Sequence, residues 1–334
     1  MEAPADDFFA LTPERVLTAV EVGGRRATGY ALALNSLENR VYEVELEDGE
    51  RVVVKFYRPA RWTREQILEE HALLAELVRA EVPTVAPIDL GGGATLGESP
   101  TANGALLYAV WPKVRGRAPD ELDDEKLAQL GRLVARLHHV GAARPAPSRP
   151  TLDAESYGAA SARLLLSGPF IPLELERRFR AAAEAIVASC ARAWPSERIR
   201  LHGDCHLGNL LHGALPGESR AGWFFLDFDD FLAGPAVQDL WLLAPGRDDE
   251  ALRQRELVVS AYETMRAFDR RTLRLVEPLR ALRILRYAAW IAQRWRDPAF
   301  QRTFPGFDEH LWWQREVQEL EEQRARVERA LEAP

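Results

Sequence analysis

The hydrophobic pattern of the chain changes near residue 112, and this change limits the folds that it can adopt. Before it, short segments alternate between apolar and polar residues, as in residues 40–47, which an Asp48-Gly49 turn connects to a partner strand. After it, apolar residues recur at helical spacing over long segments. The pattern predicts an α+β fold of two lobes. A small lobe of sheet plus helix would span residues 1–111, and a larger, mainly helical lobe residues 112–334.

The individual elements can be placed from caps, turns and periodicity. Thr12 and Thr63 are expected to cap the two helices of the first lobe, and a strand over residues 106–110 would end at Trp111-Pro112. In the second lobe, helices are predicted over residues 123–140, 174–193, 250–266, 279–296 and 312–331. Short strands are predicted over residues 199–201, 210–211 and 223–226.

Composition and charge exclude several classes of protein. The 334 residues include 43 Lys and Arg against 51 Asp and Glu, a net charge of −8 that disfavours binding to nucleic acid. Two cysteines are too few for a disulfide framework or a four-thiolate metal site. Residues 1–10 lack the basic and apolar parts of a signal peptide, and no apolar run is long enough to span a membrane. We expect a cytoplasmic monomer that binds neither nucleic acid nor membrane.

The densest cluster of polar residues lies between residues 202 and 209. It reads His-Gly-Asp-Cys-His-Leu-Gly-Asn, so Asp204 and Asn209 share a short, glycine-containing loop. Asp227 follows 18 residues later, after an apolar strand. This set predicts phosphoryl transfer, in which Asp204 accepts a proton from a hydroxyl while Asn209 and Asp227 hold Mg²⁺ on nucleotide phosphates. Asp227 is thus predicted both as a catalytic residue and as a metal ligand.

Such a site also needs a cation for the phosphates, and Lys55 is the candidate. It follows a run of three valines, so its backbone is expected to be buried and its ammonium group to face a cleft. A buried lysine needs an acidic partner. The following helix offers Glu65, Glu69 and Glu70. We select Glu70, and the choice between it and its neighbour Glu69 stays open.

Other interpretations of the charged residues are also open. The histidines and the cysteine of residues 202–209 could bind a transition metal, although their spacing matches no zinc pattern. Asp229 and Asp230 could contribute to a metal site or be solvated. Arg58 and Arg61 could reach an anionic substrate, but we expect them to lie on a solvated loop.

Several longer segments resemble one family of enzymes. They include Leu34-Asn-Ser-Leu-Glu-Asn-Arg-Val-Tyr42, Val53-Val-Lys-Phe-Tyr-Arg-Pro59, Leu201-His-Gly-Asp-Cys-His206 and Gly234-Pro-Ala-Val-Gln-Asp-Leu-Trp241. They are similar to the kinase-like superfamily of aminoglycoside and choline phosphotransferases. Within it, they resemble the stress response kinase A family of bacterial serine/threonine protein kinases. The resemblance implies a bilobal protein-kinase-like fold that binds ATP and Mg²⁺ between its lobes.

The resemblance also implies roles for single residues. It gives Asp204, Asn209 and Asp227 the roles stated above and places Lys55 on the α- and β-phosphates. Ser36 would lie in the strand-turn-strand over the nucleotide. The strand end from Val110 to Pro112 would be the hinge whose backbone binds adenine.

The pattern departs from ordinary protein kinases in two places. Residues 35–40, which would cover the phosphates, contain no glycine. Asp227-Phe228-Asp229 stands where protein kinases have Asp-Phe-Gly, and Gly234 follows too soon for a long activation loop. We therefore expect no switching by phosphorylation of such a loop. Asp239 matches a superfamily aspartate that braces the catalytic loop.

The resemblance implies transfer of the γ-phosphoryl group of ATP to serine or threonine hydroxyls of protein substrates, in a stress response. The alternative is a small-molecule kinase of the same fold, acting on choline, homoserine or an aminoglycoside, because both use the same base and metal ligands. A nucleotide-binding pseudokinase that serves as a scaffold is a second alternative. It is disfavoured because the catalytic set is complete.

Overall fold

The structure is a computed structural model that describes residue 8 and residues 11–101, 104–217 and 220–332. The expectation that there is no signal peptide concerns residues 1–10, which, Phe8 apart, lie outside the described residues. The described chain has the predicted α+β fold of two lobes. A curled antiparallel sheet is followed by a mainly helical region.

The N-terminal lobe is built on one five-stranded sheet. Its elements are α1 (Pro13–Glu21), β1 (Ala27–Ala33), β2 (Arg40–Leu46), β3 (Arg51–Phe56), α2 (Arg64–Arg79), β4 (Gly97–Thr101) and β5 (Gly104–Pro112). The strands pair antiparallel in the order β1-β2-β3-β5-β4. Thr63 caps α2 through a capping box with Gln66. Leu73 and Leu77 of α2 pack into the core of the helical lobe, so this helix connects the sheet to the second lobe.

The C-terminal lobe is mainly helical and carries two small sheets. Its helices are α3 (Asp124–Gly141), α4 (Ala160–Ser167), α5 (Leu173–Ala193), α6 (Val237–Leu243), α7 (Asp249–Glu263), α8 (Val276–Arg294), α9 (Pro298–Thr303) and α10 (His310–Glu332). Its strands are β6 (Arg115–Arg117), β7 (Ile199–Leu201), β8 (Leu210–Ala214), β9 (Gly222–Phe225) and β10 (Leu232–Gly234). β6, β8 and β9 form one antiparallel sheet, and β7 pairs with β10.

Two of the apolar cores of the C-terminal lobe lie between its long helices. Val134 of α3 packs with Val258 of α7 in one core, and Phe179 of α5 with Leu285 of α8 and Trp313 of α10 in the other. None of the described helices combines the length and the apolarity that a bilayer crossing requires.

The end of β5 differs from the sequence prediction. The strand does not stop at Val110 but continues through Trp111 to Pro112, which pairs with Val52 of β3. A proline is tolerated there because it is the last residue of the strand, where the missing N–H costs little.

Candidate active site

A buried carboxylate holds the loop between β7 and β8. Asp239 of α6 is fully buried and accepts hydrogen bonds from the backbone N–H groups of His202, at 2.8 Å, and Gly203, at 2.9 Å. The ring of His138, from α3, lies 3.0 Å from the same carboxylate. These contacts agree with the bracing role that the sequence predicts for Asp239.

Asp204 follows in this loop and is held from two sides. Its carboxylate lies 2.7 Å from Arg283 of α8 and 3.2 Å from His206. Burial raises the pKa of Asp204, but the contacts with His206 and Arg283 outweigh it and hold the pKa well below its usual range. Asn209 donates a hydrogen bond from Nδ2 to the backbone oxygen of Asp204, which leaves its Oδ1 available as a ligand. The adjacent Cys205 is fully buried, and burial raises the pKa of its thiol well above the usual value.

Asp227 stands directly after Leu226, beyond the end of β9, with an unusual backbone. Its φ is 58° and its ψ 66°, the left-handed region that residues other than glycine rarely adopt. The ring of His202 contacts the carbonyl oxygen of Leu226 at 2.8 Å, which ties this turn to the catalytic loop. More than half of the Asp227 side chain is exposed, in contrast to the buried carboxylates around it.

Lys55 of β3 lies among three carboxylates. Its Nζ is 3.3 Å from Asp229, 3.6 Å from Glu70 and 3.7 Å from Asp227. Burial alone lowers the pKa of Lys55, but the surrounding carboxylates raise it well above its ordinary value. The ammonium group is therefore charged at neutral pH.

Glu70, and not Glu69, is the partner of Lys55 on α2. Glu69 instead accepts a hydrogen bond from the backbone N–H of Ser148. Glu70 is 1% exposed, and burial raises its pKa to about 7 against the opposing effect of Lys55. Its Oε2 has no hydrogen-bond partner in the described part of the chain, so the pair is not saturated.

Two cavities meet at these residues. The smaller, of about 520 Å³, is bounded by Lys55 and Asn209 and has the size of a ligand pocket. The larger, of about 840 Å³, lies on the side of α8. Ser36, Asp204 and Asp227 line both cavities. Ligands bound in the two cavities would therefore contact each other at these residues.

The two residues predicted for the hinge lie in different places. Val110 is fully buried in the core of the sheet, and its carbonyl oxygen accepts a hydrogen bond from the N–H of Ile88, so it does not line the cleft. Pro112 does line the smaller cavity, together with Trp111 and Lys113. The backbone that can face a nucleobase is therefore shifted towards the C-terminal end of the predicted hinge.

The smaller cavity offers oxygen ligands for a hard cation. The carboxylate of Asp227 and the free amide oxygen of Asn209 both border it. Across the described residues, no group of three or more His, Cys, Asp or Glu side chains could hold a metal by itself. This suits a cation of the Mg²⁺ type, which proteins often hold with one or two side chains while substrate phosphates and water complete its coordination. The residues present thus fit a divalent cation.

Known proteins resemble this chain over nearly its whole length. The description of the phosphotransferase enzyme family matches residues 31–276. Stress response kinase A of Salmonella paratyphi A is 38% identical over 325 residues, which cover 97% of this chain and 95% of that protein. The chain belongs to the stress response kinase A family. A serine/threonine protein kinase, RdoA, of Salmonella typhimurium shows the same identity and coverage.

The fold of this phosphotransferase is also found in solved structures. Amicoumacin kinase hAmiN, in complex with AMP-PNP, Ca²⁺ and Ami, superposes with a TM-score of 0.75 over 93% of each chain. The sequence identity is 20%, so this likeness concerns the fold alone. It confirms the bilobal, kinase-like architecture predicted from the sequence.

The active site of this phosphotransferase contains a carboxylate whose role the sequence left open. Asp229 is 3% exposed and is bound by Lys55, by Asn39 and, at 2.9 Å, by Arg61. The expectation that Arg58 and Arg61 lie on a solvated loop is wrong, because buried carboxylates draw both guanidinium groups inward. The sequence signal that could have indicated its role is its position, because Asp229 stands where protein kinases carry the glycine of Asp-Phe-Gly.

The β1–β2 loop, residues 34–39, is anchored to both lobes by one side chain. The carboxylate of Glu38 lies 2.7 Å from Arg294 and 2.5 Å from the indole nitrogen of Trp290, both on α8. It also contacts Arg58 of the N-terminal lobe at 3.2 Å. A loop without glycine is thus held over the cleft by ion pairs.

Proposed function

We propose that this phosphotransferase transfers the γ-phosphoryl group of ATP, in the presence of Mg²⁺, to serine and threonine hydroxyls of proteins. The observation that carries the proposal is that Asp204 and Asp227 lie at the junction of two cavities, with Nζ of Lys55 3.7 Å from Asp227. The close similarity to a relative named as a serine/threonine protein kinase supports the choice of acceptor.

The nucleotide side of the reaction would use the smaller cavity. Lys55 would bind the α- and β-phosphates, and Glu70 keeps its ammonium group in place. Asn209 and Asp227 would hold Mg²⁺, which supplies positive charge to the phosphate oxygens when bound. Ser36, in the β1–β2 loop, borders both cavities and would contact the phosphates from above.

The acceptor side would use Asp204. A carboxylate with a lowered pKa is ionised at neutral pH, so it can accept a hydrogen bond from the acceptor hydroxyl and orient its oxygen towards the phosphorus. Asp204 takes up the proton as the new bond to phosphorus forms. Its contacts with Arg283 and His206 fix the carboxylate in place for this step.

The rest of the proposal concerns the cellular setting. The enzyme would act as a monomer on cytoplasmic proteins within a stress response, with no role for nucleic acid or membrane. The names of the similar proteins support the link to stress. The net charge of −8 supports the exclusion of nucleic acid.

A small-molecule kinase is the second candidate. It is favoured by the size of the larger cavity, about 840 Å³, and by the fold shared with amicoumacin kinase. Labelled ATP offered with generic protein substrates, and separately with choline, homoserine and an aminoglycoside, distinguishes the two. We expect label in serine and threonine of protein, absent with Asp204→Ala and retained with Asp308→Ala, an exposed aspartate outside both cavities.

Two results would contradict the proposal. Label that enters only the small molecules would show that the acceptor class is wrong. The absence of any Mg²⁺-dependent turnover would identify a nucleotide-binding scaffold instead of an enzyme.

A further inference from the structure

The larger cavity is the place where an acceptor can reach Asp204, since the smaller one adjoins Lys55 and Asn209. Its wall carries equal numbers of arginine and acidic side chains. The arginines that line it are Arg58, Arg61, Arg283, Arg286, Arg294 and Arg296. The acidic residues that line it are Glu38, Asp204, Asp227, Asp229, Asp230 and Asp297.

The acidic side chains of this wall are already neutralised. Each of the six lies within ion-pair distance of a basic side chain in the structure. Arg58 holds Asp297, and Arg61 holds both Asp229 and Asp230. The wall therefore presents no unpaired carboxylate to an incoming cation.

Arg286 differs from the other arginines of the wall. Among the described residues, no carboxylate lies within ion-pair distance of it, whereas Arg58, Arg61, Arg283 and Arg294 each have one. Arg296 has an interaction partner as well. The half-buried guanidinium group of Arg286 is thus the cation that the wall leaves available to a ligand.

A specific support positions Arg286. Its Cζ lies 5.3 Å from the centre of the Tyr157 ring, within the range of a cation–π contact. Tyr157 also lines the cavity and stands on a π-helical turn, Ala154–Ala159, a type of irregularity that is frequent at functional sites.

The position of Arg286 also fixes its distance from the reacting hydroxyl. On α8 it follows Arg283 by three residues, so the two lie on one face with Cβ atoms about 5–6 Å apart. Arg283 contacts Asp204 directly. An extended peptide advances about 3.3–3.6 Å per residue. A side chain one or two residues from the acceptor would therefore reach Arg286.

We propose that the larger cavity is an acceptor site for acidic peptides, in which Arg286 binds an aspartate or glutamate side chain within two residues of the acceptor serine or threonine. The inference rests on the proposed function and adds the substrate class to it. Choline and aminoglycosides are cations, and the wall offers them a surplus arginine and no unpaired carboxylate. The same charge pattern thus disfavours the cationic acceptors.

The test uses three serine peptides that differ only in the residues flanking the acceptor, which are Asp, Gln or Lys. For the wild type we expect kcat/KM to be about 3- to 10-fold higher with the Asp peptide than with the Lys peptide, a range set by the modest strength of partly exposed ion pairs. Arg286→Gln should reduce this ratio to near one, and Arg286→Glu should invert it. Arg286→Lys should keep the preference for the Asp peptide.

Arg315→Ala is the matched control, because Arg315 is an exposed arginine of α10 that lies outside the cavity. This variant should show the ratio of the wild type. A ratio that is the same in Arg286→Gln, Arg286→Glu and wild type overturns the proposal. A wild-type preference for the Lys peptide does so as well.

A separate arm distinguishes this inference from the proposed function. If no peptide is phosphorylated, the protein-kinase assignment fails, and ADP release is then measured with glycerate and choline, two hydroxyl acceptors of opposite charge. A preference for glycerate that Arg286→Gln removes supports an anion-binding acceptor site. A preference for choline, or no difference between the two, overturns it.

Discussion

At the scale of single residues, the site depends on buried charges that ion pairs and hydrogen bonds stabilise. Asp239 is the clearest case, since it has no exposed surface and is bound by His138 and by two backbone N–H groups. A buried carboxylate is tolerated only when such partners replace water. The shape of the loop between β7 and β8 therefore depends on a residue that has no exposed surface of its own.

Replacing Asp239 tests this dependence. The two carboxylate oxygens of Asp239 accept hydrogen bonds from the N–H groups of His202 and Gly203. Asp239→Asn removes the negative charge and replaces one of these oxygens with an NH₂ group, which cannot accept a hydrogen bond. We expect kcat to fall by about 10- to 100-fold, with the KM for ATP changed by less, because the loop that carries Asp204 loses its position. Steady-state kinetics measure this split. Asp249→Asn, at an exposed position of α7, is the control. Equal losses in kcat and in ATP affinity would contradict a positioning role.

A second prediction concerns acid stability. Burial holds the pKa of His71 at about 3, down from 6.5, and its ring bonds Tyr57 and Thr95. Because the unfolded chain protonates this histidine first, its contribution to stability is present above pH 6.5 and is lost as the pH falls towards 3, by up to about 1.4 kcal/mol per pH unit. Denaturant unfolding between pH 4.5 and 7.5 should show a smaller slope in His71→Asn. The exposed His139→Asn should keep the slope of the wild type. An equal slope in His71→Asn would refute the prediction.

The sequence predicted those residues of the site that lie close to one another along the chain. Asp204 and Asn209 share one short loop, and Asp227 follows the next strand, so their proximity could be inferred. Asp229 and Arg61 could not be placed this way, because they are 168 positions apart and only the fold brings them to 2.9 Å. A charged residue looks solvated in a sequence unless its partner is known.

At the scale of elements, the β1–β2 loop contains no glycine and is held in place by the contacts of one side chain. A Gly-rich loop approaches phosphates because it lacks side chains. Here the loop is closed by Glu38, which reaches across to Arg294 and Trp290 of α8 and is 11% exposed in its side chain. The β1–β2 loop and α8 are thus directly connected.

Removing the charge of Glu38 should loosen this cover. Each charge-assisted hydrogen bond contributes about 1.5–3 kcal/mol, so Glu38→Gln should raise the KM for ATP by about 10-fold or more. Glu47→Gln, at the exposed β2–β3 turn, provides the matched control and should keep the wild-type KM. Nucleotide titration with each variant measures the effect. A KM within twofold of the wild type in Glu38→Gln would show that the loop does not depend on this anchor.

The helices and strands also differ in how well the sequence predicts them. β2, β3 and the long helices carry clear periodicity or caps, and they lie close to their predicted positions. The pattern misses β1, β4, β6 and β10. β1 is mostly exposed and contains alanine and glycine, β6 is an exposed Arg-Gly-Arg segment, and β10 has three residues. Pairing with neighbouring strands, and not side-chain preference, therefore makes them strands.

At the scale of the molecule, both lobes contribute polar side chains to one cleft. Lys55 comes from the N-terminal sheet, and Asp227 and Asn209 come from the C-terminal lobe. A ligand that contacts all three adds to the existing contacts between the lobes, which include the packing of α2, the ion pairs of Glu38 and those of Arg61. Ligand binding should therefore stabilise the molecule as a whole.

Thermal unfolding checks this expectation. ATP with Mg²⁺ at about 100 times its Kd should stabilise the folded chain by about 2.7 kcal/mol, and each kcal/mol raises the Tm of a protein of this size by about 1–2 °C. Chelation of the metal, or Asp227→Asn, should remove most of this shift, whereas Asp308→Asn should retain it. An equal shift in the presence of a chelator would show that the cation is not part of the site.

The burial of Cys205 has a consequence for chemical resistance. The sulfur sits next to Asp204, yet it has no solvent-exposed surface and its pKa is raised well above the usual value. Peroxides and alkylating reagents attack the exposed thiolate form of cysteine, which this environment suppresses. Cys190 is buried with a raised pKa as well. Oxidants that inactivate enzymes through a reactive cysteine thus find no such target beside Asp204.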